Sequence, residues 1–283
     1  MISSDALFRQ CAKKLEEVYG KEEAQSLAFL LLEHFFSLSR AAILARKQIV
    51  LSEKVEVINQ YIERLNQQEP IQYLLGKTVF YEHEFEVNPA VLIPRPETEE
   101  LVQLIISENK GENPFSILDI GTGSGCIAIS LKKGLPAATV FAIDVSEDAL
   151  AVAKKNALSN DVKIEFLHQD ILAASAIVPS TNIIVSNPPY ILESEKRWMS
   201  KNVLEHEPFL ALFVEDQDPL LFYKAILEKA QKYLLPRGKI YFEINENFGK
   251  ETAQLLVEGG FTEVSIRKDL NGKERIVKGM KQN

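Results

Sequence analysis

A chain of 283 residues is long enough for one large folded unit or two, and 46% hydrophobic content is enough to build a core for each. No apolar run approaches the roughly 18 residues that cross a bilayer, and the opening MISSDALFRQ lacks a signal-peptide core, so a cytoplasmic protein is expected. Two cysteines exclude a disulfide framework, and four scattered histidines (His34, His83, His168 and His206) exclude an obvious metal site. The net charge of −8 is carried almost wholly by the C-terminal part: residues 1–74 hold nine bases and ten acids, the remainder 23 and 30. That balance argues against a protein built to grip nucleic acid, whose affinity rests on phosphate contacts.

Residues 1–70 read as helices. Leu7, Cys11, Leu15 and Val18 recur at three- and four-residue steps, as do Ala24 to Phe35 and the set Val55, Ile58, Ile62 and Leu65. Ser52 before Glu53 suggests an N-cap. The texture then changes: Thr78-Val79-Phe80-Tyr81 and Glu84-Phe85-Glu86-Val87 suggest a β-hairpin turning at Glu82-His83. Pro94-Arg95-Pro96 stiffens the entry to a helix over about 97–108.

Beyond residue 114 strands and helices alternate. Strands are expected at 115–120, 139–144, 162–167, 182–186, 238–244, 262–268 and 274–280, with helices over about 124–133, 147–158, 219–235 and 249–259. Asp218-Pro219 is expected to open the third of these helices, and Gly259-Gly260 to close the last. Such alternation implies a parallel sheet covered by helices on both faces. The short link Leu270-Asn271-Gly272-Lys273 permits only a hairpin, so the last strand runs antiparallel. The expected fold is therefore α/β: a Rossmann-like domain (residues 96–283) with a mixed seven-stranded sheet. A helical bundle (residues 1–72) and a hairpin linker (residues 73–95) precede it.

Two motifs carry the chemistry. Ser116 to Ile120 runs into Gly121-Thr122-Gly123-Ser124-Gly125, a glycine loop between strand and helix that lets backbone approach a ligand. The dinucleotide pattern GxGxxG fails, because position 126 is Cys126. The reading Asp119-x-Gly-x-Gly-x-Gly resembles the first motif of class I S-adenosylmethionine-dependent methyltransferases. Asp144, at the tip of the second strand, offers a carboxylate to vicinal ribose hydroxyls, or serves as a helix cap. Asp170 stands either as a cap or as a ligand to an adenine amino group, with Ile171 beside it.

The second motif is Asn187-Pro188-Pro189-Tyr190, directly after the apolar strand 183–186. By residue frequencies it would arise by chance in roughly one such chain in a thousand. A flat nitrogen with a delocalised lone pair is a poor nucleophile, and two acceptors aimed at its N–H groups orient it. The Asn187 side chain and the Pro188 carbonyl are two such acceptors. The prolines fix the turn, and Tyr190 can pack on a planar group.

The chain is similar to the HemK/PrmC family of protein glutamine methyltransferases over about residues 70–280. Pro70 to Gly76, Leu92 to Glu99, Asp119 to Gly125, Ser186 to Tyr190, Glu207-Pro208, Lys268-Asp269-Leu270 and Arg275 carry the likeness. The resemblance implies S-adenosylmethionine as cofactor, held by Asp119, Gly121, Thr122, Gly123, Ser124, Gly125, Asp144, Asp170, Ile171 and Asn187. It implies that the substrate is the glutamine of the Gly-Gly-Gln motif of peptide-chain release factors, its amide held by Asn187 and Pro188 while Pro189 and Tyr190 shape the slot. Arg95 either contacts substrate or anchors the linker. Some members carry an aromatic residue where Ile171 stands. The helical N-terminus has the size of the family's substrate-recognition domain, and a monomer is expected. Seven acids in residues 193–218 either steer a basic substrate to the site or form a solvated face. Three other readings share these motifs: a glutamine methyltransferase of a ribosomal protein, a DNA or RNA exocyclic-amine methyltransferase, and a cofactor-binding scaffold without turnover.

Overall fold

The computed structural model describes residues 2–49, 53–111 and 115–283, and the chain divides into two compact units. The smaller takes in the chain up to Gly76 together with Ser200–His206; the larger holds Lys77–Met199 and Glu207–Asn283.

The smaller unit is helical, as its periodicity predicts. Leu7, Cys11, Leu15, Leu31 and Leu32 are buried with Ile58, Ile62 and Leu65 from helix Glu53–Asn66 in one apolar cluster. Helix Ser4–Phe36 is interrupted at Gly20, whose φ of 72° and ψ of 171° no other residue adopts cheaply. Val18, expected on the buried face, lies next to this break and is 38% exposed. Ile71–Leu75 forms a short helix that adds Ile71 and Leu74 to the same cluster. The Ser52 cap falls outside the described residues.

In the larger unit a hairpin pairs Lys77–Phe80 with His83–Glu86. Its turn is Tyr81-Glu82, both at positive φ, one residue earlier than the sequence suggests. The register explains the shift: it places Phe80 and Phe85 on one face, both fully buried with rings 6.0 Å apart. The Tyr81 N–H donates to Glu99 Oε1 at 2.8 Å, which ties the turn to helix Pro96–Asn109.

Seven strands form the main sheet: β1 (Ser116–Ile120), β2 (Thr139–Asp144), β3 (Glu165–His168), β4 (Thr181–Ser186), β5 (Leu234–Glu243), β6 (Phe261–Lys268) and β7 (Glu274–Lys281). Their order is β6-β7-β5-β4-β1-β2-β3, and only β7 runs antiparallel to its neighbours. The near-continuous apolar runs of β1 and β4 are buried on both faces, as a helix-covered parallel sheet requires. Gly260 takes the left-handed conformation expected after the last helix. Asp218-Pro219, expected to open a helix, instead forms a turn, and the helix starts at Leu221.

The register decides where the loops emerge. Ile120 pairs with Ile143 on one side and with Ser186 on the other, and Ser186 pairs with Phe242. The next residue of each strand is therefore Gly121, Asp144, Asn187 and Glu243, a single row along the C-terminal edge of the sheet. The chain winds away from β1 in both directions here, the place where open α/β sheets bind ligands.

Candidate active site

Local chemistry builds the glycine loop. The N–H groups of Gly121 and Thr122 both donate to the Ile143 carbonyl, at 2.9 and 3.0 Å, which folds the loop across the end of β2. Gly121, Gly123 and Gly125 all have positive φ. A Cβ at Gly121 or Gly123 would meet open space, so a ligand can reach their backbone. At Gly125 it would stand 3.1 Å from Ala153 Cβ and Ile129 Cδ1, so this glycine serves helix packing. Asp119 is fully buried and accepts the Thr122 hydroxyl at 2.6 Å. Burial pushes its carboxyl up to about 7. Burial likewise pushes the Cys126 thiol up to about 12, so this cysteine is a packed side chain, not a nucleophile.

One cleft is lined by Arg95, Gly121, Thr122, Gly123, Ser124, Asp144, Asp170, Ile171, Asn187, Pro188 and Pro189. The sequence motifs, far apart in the chain, thus meet at one place. Asp119, Gly125 and Tyr190 do not line it. The first two support the loop from behind, and Tyr190 packs toward the core with its hydroxyl on Glu243 Oε1 at 3.1 Å.

The cleft fits a nucleoside carrying an amino-acid arm. Asp144 accepts the Gly123 N–H on Oδ2 and the Ser146 N–H on Oδ1, both at 2.9 Å, which aims the carboxylate and leaves a lone pair on each oxygen. Burial raises its pKa, opposed by these N–H groups. Asp170 accepts the Leu172 N–H at 2.9 Å, a cap-like bond that leaves its second oxygen available, and Ile171 offers a buried apolar wall. Asp119 Oδ1 and Ser124 Oγ have no hydrogen-bond partner among the described residues, so unused polar capacity gathers at this loop.

Arg95 is an anchor. Its guanidinium donates to Glu207 Oε1 at 2.6 Å, while Glu207 Oε2 accepts the Ile93 N–H at 3.3 Å. This pair joins the two segments, Ala90–Arg95 and Pro208–Ala211, that wall the cleft with apolar side chains. Of the seven acids in residues 193–218, Glu193, Glu195, Glu207, Asp216 and Asp218 have hydrogen bonds or ion pairs inside the protein. Most of that stretch is thus committed to local structure.

Sequence reasoning missed Glu243 and the role of Thr98. Glu243 is buried at the end of β5, and Thr98, on helix Pro96–Asn109, donates to its Oε2 at 2.7 Å. Thr98 Oγ1 in turn meets Asn187 Nδ2 at 3.3 Å. An acid closing the apolar run Ile240-Tyr241-Phe242 was the available signal.

Comparison with known proteins agrees with this geometry. The PrmC N-terminal domain family matches residues 6–76, and the methyltransferase small domain family matches residues 98–207. A release factor glutamine methyltransferase of Flavobacterium psychrophilum is 47% identical over 95% of this chain and 96% of its own. The protein of that name from Bacteroides thetaiotaomicron is 46% identical over 94% and 95%. The chain belongs to the release factor glutamine methyltransferase family. Solved structures extend the fold of this family further. A Pyrococcus furiosus methyltransferase overlaps 80% of this chain and all of its own at a TM-score of 0.53 and 18% identity. A Thermus thermophilus rRNA methyltransferase in complex with AdoMet and guanosine overlaps 73% of this chain and 50% of its own, also at a TM-score of 0.53 and 18% identity.

Proposed function

We propose that this protein transfers a methyl group from S-adenosylmethionine to the side-chain amide nitrogen of the glutamine in the Gly-Gly-Gln motif of peptide-chain release factors. The observation that supports this most is the register of the sheet, which sends the glycine loop and the Asn-Pro-Pro turn out of adjacent paired strands into one cleft. When bound, S-adenosylmethionine supplies a methyl carbon on a sulfonium, open to in-line attack.

The protein's own part is placement. Gly121 to Ser124 let backbone reach the amino-acid arm, Asp144 accepts ribose hydroxyls, and Asp170 and Ile171 border the adenine. Asn187 Oδ1 and the Pro188 carbonyl accept the two N–H groups of the glutamine amide, turning the nitrogen's lone pair toward the methyl. Pro189 walls the slot, and Tyr190 braces the turn from beneath. No titrating base is needed, and the proton that the amide gives up on gaining the methyl passes to solvent; burial and the neighbouring Glu243 raise the Tyr190 pKa, so its phenol keeps its proton. The helical unit recognises the release factor, and the enzyme acts as a cytoplasmic monomer.

The test is mass spectrometry of a release factor incubated with the enzyme and cofactor. A gain of about 14 Da on the Gly-Gly-Gln glutamine is expected, the mass of one CH2. Asn187→Ala should lower the rate at least about a hundredfold, the usual cost of removing one preorganised polar group from a transition state, while the fold and most of the cofactor affinity are retained. Methylation of a ribosomal protein with the release factor untouched would overturn the substrate assignment.

A further inference from the structure

The asparagine amide has two ends that differ by half a turn about one bond, and only the oxygen end can accept from a substrate N–H. We propose that Thr98, anchored by Glu243, is the positioning residue that fixes this choice, holding the Asn187 NH2 toward the protein and its oxygen toward the substrate. The inference rests on the methyl-transfer reading above.

The argument follows from proton counting. A carboxylate only accepts. Glu243 Oε2 lies 2.7 Å from Thr98 Oγ1, and Glu243 Oε1 takes the Tyr190 hydroxyl at 3.1 Å. Thr98 has one hydroxyl proton and spends it on Glu243, so toward Asn187 it can only accept. The Asn187 atom 3.3 Å away must therefore be the NH2 group. The three residues come from a helix start, β5 and the loop after β4, and are 89 and 145 positions apart in the paired contacts. Burial raises the Glu243 pKa, while Thr98, Tyr190 and the charge of Arg275 favour its ionised form. Thr98 sits in the cleft wall with little exposed surface, and its one hydroxyl proton is committed to Glu243, so it acts through Asn187.

Thr98→Val keeps the shape of the side chain and removes the hydroxyl; Thr98→Ser keeps the hydroxyl. Each variant is measured beside wild-type enzyme with release factor and S-adenosylmethionine, after its thermal unfolding confirms a folded chain. The valine variant should lose about tenfold in kcat, the size of one ordinary net hydrogen bond, with unchanged cofactor Kd. The serine variant should stay within about threefold of wild type. In an Asn187→Ala background, Thr98→Val should cost less than about twofold more, because the amide it orients is gone. Equal losses for valine and serine, or an undiminished tenfold loss in the Asn187→Ala background, would overturn the role of Thr98. Failure of wild-type enzyme to methylate the release factor would instead overturn the reading beneath it.

Discussion

Replacing Asp119 by asparagine should change how stability depends on pH. The side chain is fully buried, and its carboxyl titrates at about 7 in the folded protein against 3.8 for the free group. An acid whose folded pKa is raised keeps its proton in the native state where the unfolded chain has already lost it. Stability therefore falls as pH rises from about 4 to about 7, and the full penalty is present above that. At about 1.4 kcal/mol per pH unit the interval from 3.8 to about 7 amounts to on the order of 4 kcal/mol. Asparagine has the same shape, accepts the Thr122 hydroxyl through its oxygen, and carries no charge to desolvate. At pH 4 the protonated acid and the amide are both uncharged, so the two proteins should agree within about 1 kcal/mol. At pH 8 the variant should lead by a few kcal/mol. Urea unfolding of cofactor-free protein, followed by far-UV circular dichroism at intervals from pH 4 to 8, measures this directly. A stability difference that stays constant over that range would refute the assignment of a buried, proton-holding carboxyl at Asp119.

Two further perturbations separate packing from ligand approach. Gly125→Ala places a Cβ 3.1 Å from two side-chain carbons in a left-handed backbone, and should cost about 2–3 kcal/mol in denaturant unfolding. Gly121→Ala, with open space around its Cβ, should cost less stability while weakening cofactor binding more, as calorimetry would read. In the helical unit, Leu31→Ala at a fully buried site should cost about 2–5 kcal/mol and leave cofactor affinity unchanged.

Much of the fold is legible in the sequence because its signals are local. Apolar runs mark the strands, β1 closed by Gly121 and β4 by Asn187-Pro188, and Leu270 to Lys273 is too short for anything except a hairpin. Asn187 to Tyr190 and Gly121 to Gly125 are contiguous, so each motif can be read without knowing what lies beside it. What the sequence hides is long-range. Thr98 and Glu243 are 145 residues apart, and neither is unusual until the register of β5 against β4 sets Glu243 beside Asn187. Arg95 is ambiguous for the same reason: its partner Glu207 lies 112 residues away. The Tyr81-Glu82 turn carries none of the glycine or asparagine that usually marks positive φ; burial of Phe80 and Phe85 sets it instead. Val18 fits a helical period that the backbone at Gly20 cuts short.

The alignment of Gly121, Asp144, Asn187 and Glu243 has a consequence for how such a chain can vary. Each of these groups is the last residue of a strand or the one directly after it, so inserting or deleting a residue inside β1, β2, β4 or β5 would move one group by about 3.3 Å and turn it to the opposite face. Connecting helices and outer loops carry no such constraint and can lengthen or shorten without disturbing the geometry of transfer. Changes in what the enzyme accepts should therefore come from the peripheral segments, while length changes in those four strands should abolish activity outright.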